Sequence, residues 1–401
     1  MILYLIWFFT SVLIFYGTLK SKRKTQIWAM SVFLMALGIF IGLGDMLGGY
    51  DRYIYSDLFD SMADVTHAGG NPWKSASFDY YGGEFGYGTL CALLSYITGN
   101  RYIFIFILTM IIYILLIMSL REYVDNAPFS VIIFMGLWVF FTFTYLRQVI
   151  GCTVVWLSVK YIINRELKKY LLVLFVGYSF HNSALLFLPM YYLPIKKFPR
   201  EWVAFVMLGA LLIGLTPIPQ GLFDLYGEVD AERANIAGYS TDAGFRWAYL
   251  VEAVFFLYII LMNYRHISRH KKDIVMLNMA LFFCAILLIF IKSTNGGRLS
   301  WMFMIGVFCT FSNICVKRER LLQHGVLMIL ICLGLYLRIY NSWQAYQLCY
   351  PYKTFLTDGY RDGDPIRELY EYDYGYEEDK FYRPVFWLFG ESGDNLNVNA
   401  Y

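Results

Sequence analysis

Long apolar stretches separated by short clusters of basic residues are the feature that most constrains this chain. Hydrophobic residues make up 59% of the 401 positions, and charged residues only 16%. A helix needs roughly 20 apolar residues to cross a bilayer, where its backbone must satisfy its own hydrogen bonds. We therefore predict an all-α, polytopic integral membrane protein. The predicted spans are 1–19, 26–43, 101–119, 129–145, 149–163, 201–216, 247–263, 274–291, 299–316 and 322–340.

The basic clusters predict how these spans are oriented. They lie at 20–24, 165–169, 196–200, 265–272 and 317–320. Lys and Arg collect in short cytoplasmic loops, so all five clusters should face the cytoplasm. That is possible only if two further apolar stretches, 84–97 and 170–193, do not cross. We expect about ten transmembrane helices with both termini outside, and two re-entrant or interfacial helical segments. The second segment should be a hairpin with its tip near His181.

Three polar segments then share the outer face. We expect a membrane domain of residues 1–340 carrying outer-face loops 45–83 and 217–246, followed by an acidic, Tyr-rich periplasmic tail, 341–401. The tail holds eleven acidic and five basic residues. Its aromatic content favours partial docking on the outer face over complete disorder.

Two arginines at predicted outer helix ends are candidates for binding an anion. Arg147 precedes Gln148 between two apolar spans, and Arg298 follows Gly296 and Gly297 at the start of another. The planar fork of arginine matches phosphate oxygens, and a helix N-terminus also favours anions. The alternatives are an interfacial arginine that reaches to water and a charged cap on a loop.

Two other polar groups could transfer protons. Glu84 stands at the head of the segment 84–97, and His181 is followed by Asn182 and Ser183 within an apolar stretch. A carboxylate or an imidazole can act as a general base. Glu84 could instead complement a helix dipole, and His181 could be a hydrogen-bonded core residue. The sequence leaves these alternatives open.

The outer loops supply weaker candidates. Asp51, Arg52 and Tyr55 could form a sugar-binding turn or only a solvated loop, and Arg233 and Arg246 are cations in an otherwise acidic loop. The chain has no P-loop, zinc-ligand spacing or serine nucleophile motif, so we expect no metal and no cofactor. Its net charge of +3 is too small to indicate a nucleic-acid partner.

In sequence order, these residues resemble those of EpsG-like proteins and of the Wzy-type polymerases of bacterial exopolysaccharide and O-antigen. The resemblance covers roughly residues 45–316, and two departures are Phe85, where relatives often have Pro, and the long acidic tail. The motifs that carry it are GYD at 49–51, Tyr55, EFGY at 84–87, LRQ at 146–148, FHNSA at 180–184 and GRLS at 297–300.

The resemblance implies a metal-independent glycosyltransferase that polymerises undecaprenyl-diphosphate-linked repeat units at the periplasmic face of the bacterial inner membrane. Its partners would be the lipid-linked donor and acceptor, membrane lipid and a chain-length regulator protein. Arg147 and Arg298 would hold the diphosphate, and Glu84 or His181 would be the base. The substrate-binding set would be Asp51, Arg52, Tyr55, Tyr87, Gln148, Asn182, Arg233 and Arg246.

Two other functions compete with this interpretation. A flippase for lipid-linked oligosaccharide would use similar cations, but along a path that reaches both faces. A membrane acyltransferase that modifies polysaccharide would need a histidine near the cytoplasmic side. The predicted positions of the polar residues, on the outer face, favour the polymerase.

Overall fold

A computed structural model describes residues 1–44, 51–221, 244–316, 321–345, 349, 352–357 and 380–386. Within these ranges the secondary structure is helical apart from one isolated bridge between Gly44 and Thr354. Six helices of the described chain are long and apolar enough to cross a membrane. The prediction of an all-α, polytopic membrane protein is confirmed.

The helices vary widely in length. They are α1 (Ile2–Thr18), α2 (Arg23–Gly42), α3 (Arg52–His67), α4 (Ala76–Tyr81), α5 (Phe85–Ser95), α6 (Arg101–Tyr123), α7 (Ala127–Leu137), α8 (Leu146–Trp156), α9 (Val159–Asn164), α10 (Leu167–Phe180), α11 (Pro189–Tyr192), α12 (Arg200–Leu215), α13 (Trp247–Met262), α14 (Lys271–Ile289), α15 (Met304–Cys315) and α16 (Val326–Ala345). Short 3-10 turns lie at Pro72–Lys74, Val139–Phe143, Asn182–Phe187, Tyr264–His266 and Gly296–Phe303, and a π-turn at Leu321–Gly325.

All ten predicted spans coincide with helical structure. The six long helices account for six of them, and α1, α7, α12 and α13, with 11 to 17 residues, account for the other four. The predicted span 129–145 is not one continuous helix, because α7 ends at Leu137 and a 3-10 turn follows. The number of crossings stays a prediction.

Four of the five basic clusters lie together at one end of the molecule, which we call the basic end. Each is tied to a neighbouring loop or cluster by hydrogen bonds or ion pairs. The contacts join Arg23 to the carbonyls of Arg121 and Val124, Lys272 to Asp125, Lys197 to the carbonyl of Ile267, and Arg165 to the carbonyls of Tyr191 and Leu193. The fifth cluster, 317–320, lies outside the described residues. Which side of the membrane the basic end faces stays a prediction.

The segment from α10 to α11 is the predicted hairpin. The helix α10 stops at Phe180, His181 is extended, and a 3-10 turn carries the chain back. The ring of Tyr170 stacks on that of Tyr191, and its hydroxyl donates to the Phe187 carbonyl. The tip at His181 is therefore confirmed, and both ends of the hairpin lie at the basic end.

The helix α5, with 11 residues, corresponds to the other segment that was predicted not to cross, 84–97. At 1.5 Å per residue it is about 16 Å long, roughly half the thickness of the hydrocarbon core of a bilayer, and that it does not cross stays a prediction. It packs on α10 through Gly86, where an added Cβ would lie 2.1 Å from the Ser179 Oγ. This close approach brings the start of α5 next to the hairpin tip.

Two described parts of the tail, 352–357 and 380–386, contact the membrane domain, and we call them the strap. They lie against the end of α2, the helix α3 and the start of α6. Partial docking of the tail is thus observed for these residues. The Tyr-rich stretch around Tyr370 to Tyr376 lies outside the described residues.

Candidate active site

Glu84 is the centre of a cluster formed by α5, α8 and the hairpin tip. It is 4% exposed and lies immediately before α5. Its Oε2 accepts a hydrogen bond from Arg147 Nη1 at 2.6 Å, within an ion pair, and its Oε1 accepts one from the Asn182 backbone N–H at 3.3 Å. The Nε2 of His181 lies 4.0 Å from the same Oε1. Three sequence motifs therefore meet at one carboxylate.

The imidazole of His181 is oriented by its own turn. The Ser183 backbone N–H donates to Nδ1 at 3.2 Å, and the Ser183 hydroxyl lies 2.7 Å from the same nitrogen. Because Nδ1 accepts a hydrogen bond, a neutral ring carries its proton on Nε2, the nitrogen nearer to Glu84. The protonated nitrogen therefore faces the carboxylate, at a distance of 4.0 Å that is too long for a hydrogen bond.

The guanidinium of Arg147 lies among tyrosine rings. It is 5.4 Å from the ring centroid of Tyr55 and 5.8 Å from that of Tyr81, and Tyr87 packs against both rings. Burial raises the pKa of Tyr55 to about 12, although Arg147 lowers it. Tyr55 therefore stays protonated at neutral pH and contributes a ring and a hydroxyl donor.

Gln148 connects the two arginine motifs. Its Nε2 donates to the Arg298 carbonyl at 3.0 Å, and its Oε1 accepts from Arg298 Nε at 3.3 Å. Gln148 is 1% exposed, so this pair of hydrogen bonds forms in the interior. The first turn of α8 therefore carries Arg147 and, through Gln148, binds Arg298.

Arg298 also packs on aromatic rings. Its guanidinium lies 4.0 Å from the centroid of Tyr145 and 5.8 Å from that of Trp301. The preceding residue, Gly297, is in close contact with Tyr249, since an added Cβ would lie 2.6 Å from Tyr249 Cζ. Ring stacking of this kind fixes the plane of the guanidinium fork.

Asp51 lies within electrostatic range of both arginines. Its backbone N–H donates to the Thr144 Oγ1 at 2.7 Å, just before the arginine–glutamine motif. Burial raises the pKa of the Asp51 carboxyl, whereas Arg298 and Arg147 lower it, and the pKa stays above its ordinary value. Two arginines from distant motifs thus act on one carboxylate, as expected if they share a site.

The remaining predicted residues have different positions. Arg52 is 1% exposed and donates to the carbonyls of Ile41 and Gly42 at the end of α2, so its described contacts belong to the packing of α3. Arg246 precedes α13, three residues before the tyrosine that contacts Gly297. Arg233 lies outside the described residues, as do the glycine and tyrosine at 49 and 50.

Sequence reasoning missed the rings that hold the arginines. Tyr81, Tyr145 and Trp301 were not among the candidates, yet each lies two or three residues from a candidate side chain in the chain. Of these three rings, Trp301 packs on the arginine three residues before it, so its spacing was an available signal. Tyr81 packs on Arg147 and Tyr145 on Arg298, and neither pair is close in the sequence.

The fold and the site together define a polytopic membrane protein with an arginine- and carboxylate-lined site remote from its basic end. Arginines suit an anionic substrate, and a carboxylate beside an imidazole suits proton transfer. The residues that form the site are those of the motifs by which the sequence resembles EpsG-like proteins.

Residues 27–354 match the model of the EpsG family, and the chain belongs to that family. Membership points to a polysaccharide polymerase-type, glycosyltransferase-like function. The chain matches no curated protein and no solved structure.

Proposed function

We propose that this protein polymerises undecaprenyl-diphosphate-linked oligosaccharide repeat units by glycosyl transfer at the periplasmic face of the bacterial inner membrane. The observation that supports it best is the convergence of the Arg147–Glu84–His181 cluster with the Gln148–Arg298 pair. A polymerase needs cations for a diphosphate leaving group and a base for an acceptor hydroxyl, and this cluster contains both.

In the proposed reaction, an acceptor sugar hydroxyl attacks the anomeric carbon of the donor glycan. A new glycosidic C–O bond forms, and the bond from that carbon to the diphosphate breaks. The lipid diphosphate leaves with the electron pair, and the hydroxyl proton passes to a protein base. Fixed cations next to the diphosphate stabilise the charge that develops on it.

Arg298 is the primary diphosphate ligand in this proposal. Its fork is held by Gln148 and by the face of Tyr145, which leaves the orientation of its donors defined before substrate binds. Arg246 lies near the same turn and supplies a second cation. Pre-organised donors of this kind cost no rearrangement during the reaction.

Glu84 takes the acceptor proton. Because Ser183 holds Nδ1 of His181, a neutral imidazole presents an N–H, not a lone pair, 4.0 Å from the carboxylate, so we assign it an orienting role rather than that of the base. Arg147 is paired with Oε2, and its side chain is 24% exposed compared with 5% for Glu84. A bound diphosphate would draw Arg147 away, and Glu84 would then become available as a base only when the donor is present.

The test is polymer formation by purified protein in liposomes with lipid-linked repeat units. Glu84→Gln keeps the shape and removes the base, so we expect polymer to vanish while lipid-diphosphate binding persists. His181→Ala should slow the reaction by roughly 10- to 100-fold without abolishing it, because it removes an orienting group. Glu201→Gln, an exposed glutamate at the start of α12, is the matched control.

Two outcomes would change the assignment. Normal polymer from Glu84→Gln with none from His181→Ala would move the base to His181. Normal polymer from both variants would refute this mechanism. In that case transport of the lipid-linked oligosaccharide, measured as its transfer across the liposome membrane, becomes the better explanation.

A further inference from the structure

We propose that the strap is a positioning element that holds α3 so that Asp51 and Tyr55 stay beside Arg147, with Arg383 as its main positioning residue. This inference rests on the proposed function for its catalytic consequence, but its structural part can be tested without any activity.

The first part of the strap is fixed to the end of α2. The ring of Tyr352 stacks on Phe40 with centroids 4.4 Å apart, and its hydroxyl donates to the Phe40 carbonyl at 2.7 Å. Thr354 forms the isolated bridge with Gly44, and the Phe355 N–H donates to the Leu43 carbonyl at 3.1 Å. This part of the tail therefore packs on the C-terminal end of α2 and the residues directly after it.

The second part of the strap, 380–386, binds the C-terminal end of α3. The guanidinium of Arg383 makes a two-pronged ion pair with Asp64, with Nη1 to Oδ1 at 2.6 Å and Nη2 to Oδ2 at 3.0 Å. The Asn100 side-chain amide donates to the Lys380 carbonyl at 2.7 Å and to the Arg383 carbonyl at 3.3 Å. Because Asn100 is also the N-cap of α6, the strap joins α3 to a long apolar helix.

The two parts of the strap are also joined to each other. Lys380 is 4% exposed, and its Nζ donates to the Thr354 carbonyl at 2.9 Å. The rings of Phe355 and Phe381 are in contact at 5.8 Å. The strap thus behaves as one unit that spans from α2 across to α3 and α6.

The charges on α3 explain why it needs this support. Asp57, Asp60 and Asp64 lie three and four residues apart, on one helix face. Like charges at these spacings repel, and a carboxylate near a helix C-terminus also opposes the helix dipole. Arg101 pairs with Asp57 at 3.1 Å and with Asp60, which leaves the last aspartate for Arg383.

The same helix carries site residues at its other end. Asp51 is the N-cap of α3, and Asp64 lies in the turn before its last residue, His67, so the helix spans about 20 Å between them. A rigid helix transmits a tilt at one end to the other. Release of Asp64 should therefore displace Asp51 and Tyr55 from the arginines.

Arg383→Gln in the full-length protein removes the ion pair, and Lys74→Gln, which changes an exposed cation in the predicted loop 45–83, is the matched control. The structural readout is oxidative disulfide formation between cysteines placed as Asp51→Cys and Thr144→Cys, since those residues are in contact. We expect the disulfide yield to fall roughly threefold with Arg383→Gln and to be unchanged with Lys74→Gln.

The catalytic readout uses the native residues at 51 and 144. Arg383→Gln should raise the apparent KM for the acceptor roughly threefold and leave kcat nearly unchanged, which a general loss of folded protein would not do. Asp64→Asn removes the other half of the same ion pair, so it should raise the KM to the same extent, and adding it to Arg383→Gln should cause no further loss. The exchanged pair, Asp64→Arg with Arg383→Asp, re-forms the ion pair and should recover much of the loss.

Unchanged disulfide yield in Arg383→Gln would overturn the inference, because α3 would then hold its place without the strap. A lower yield with an unchanged KM would also overturn it, since position would not affect the reaction. If the unaltered protein makes no polymer at all, the proposed function fails, and the disulfide yield alone decides whether the strap positions α3.

Discussion

At the scale of single residues, each arginine at the candidate site is held by contacts within the protein itself. Arg298 is fixed by Gln148 and by Tyr145, and Arg147 by Glu84 and the ring of Tyr55. Arginine is required in such places because a planar fork stacks on a ring and presents two donors to an anion. Lysine retains the charge but loses this geometry.

Arg298→Lys should therefore lower the rate of polymer formation by roughly 100-fold, although the positive charge is kept. Binding of a lipid diphosphate to the purified protein should weaken in parallel. Arg200→Lys, an exposed arginine at the basic end, provides the control and should change neither quantity. Equal activity of the two variants would show that charge alone suffices at position 298.

The raised pKa of Asp51 predicts how activity depends on pH. A carboxyl with a raised pKa becomes protonated, on acidification, at a higher pH than the ordinary aspartate value of about 3.9. If its charge helps to hold the acceptor, the acid limb of the pH–rate profile should begin above that value. Asp51→Asn should lower activity and flatten this limb, and an unaltered limb in the variant would assign it to another group.

At the scale of elements, small residues decide whether the short helices can meet. The start of α5 touches α10 at Gly86, and the same contact brings Glu84 to the hairpin tip. If a side chain larger than that of glycine separated the backbones of α5 and α10, Glu84 would no longer reach the hairpin tip. The function of these elements therefore depends on close packing rather than on their own length.

Gly86→Ala should separate α5 from α10, because the new Cβ would meet both the Oγ and the Cβ of Ser179. We expect a loss of stability of roughly 1–3 kcal/mol and a larger loss of polymer formation. Gly209→Ala is the control, since a Cβ there has nothing within 4 Å. Partial recovery on adding Ser179→Gly would support the contact, and full activity of Gly86→Ala alone would contradict it.

The elements were readable from the sequence to very different degrees. The spans follow from hydropathy, because a backbone in lipid must form helices to satisfy its hydrogen bonds. The hairpin at His181 follows from the basic clusters, because they can all face the same side only if the segment 170–193 does not cross. The ion pair of Glu84 with Arg147 could not be foreseen, since it joins residues far apart in the chain. Arg52 was predicted to lie in a sugar-binding turn or a solvated loop, and its described hydrogen bonds go to the carbonyls at the end of α2; its role in substrate binding stays a prediction.

At the scale of the whole molecule, the separation of the basic end from the site sets the expected orientation. The helix α14 begins at the basic end with Lys271, and the segment after it leads to Arg298 at the opposite end. If the basic end faces the cytoplasm, the candidate site opens to the other side. One measurement of which side the basic end faces therefore tests the predicted orientation of the site as well.

Cysteine labelling in intact cells tests this orientation. All seven native cysteines are buried and should react slowly. A membrane-impermeant thiol reagent should label Lys74→Cys but not Lys197→Cys, which lies in a loop at the basic end next to Ile267. Strong labelling at position 197 in sealed cells would reverse the orientation and place the site towards the cytoplasm.

The hairpin that carries His181 also has a consequence for how the protein is made. Its 3-10 turn has the irregular backbone that lipid does not tolerate, and it is covered by α8, α10 and the turn at Gly296–Phe303. The last of these is synthesised more than a hundred residues after the hairpin. We therefore expect the tip of the hairpin to reach its final conformation only after the C-terminal half of the chain is made, so that the candidate site is completed late in membrane insertion.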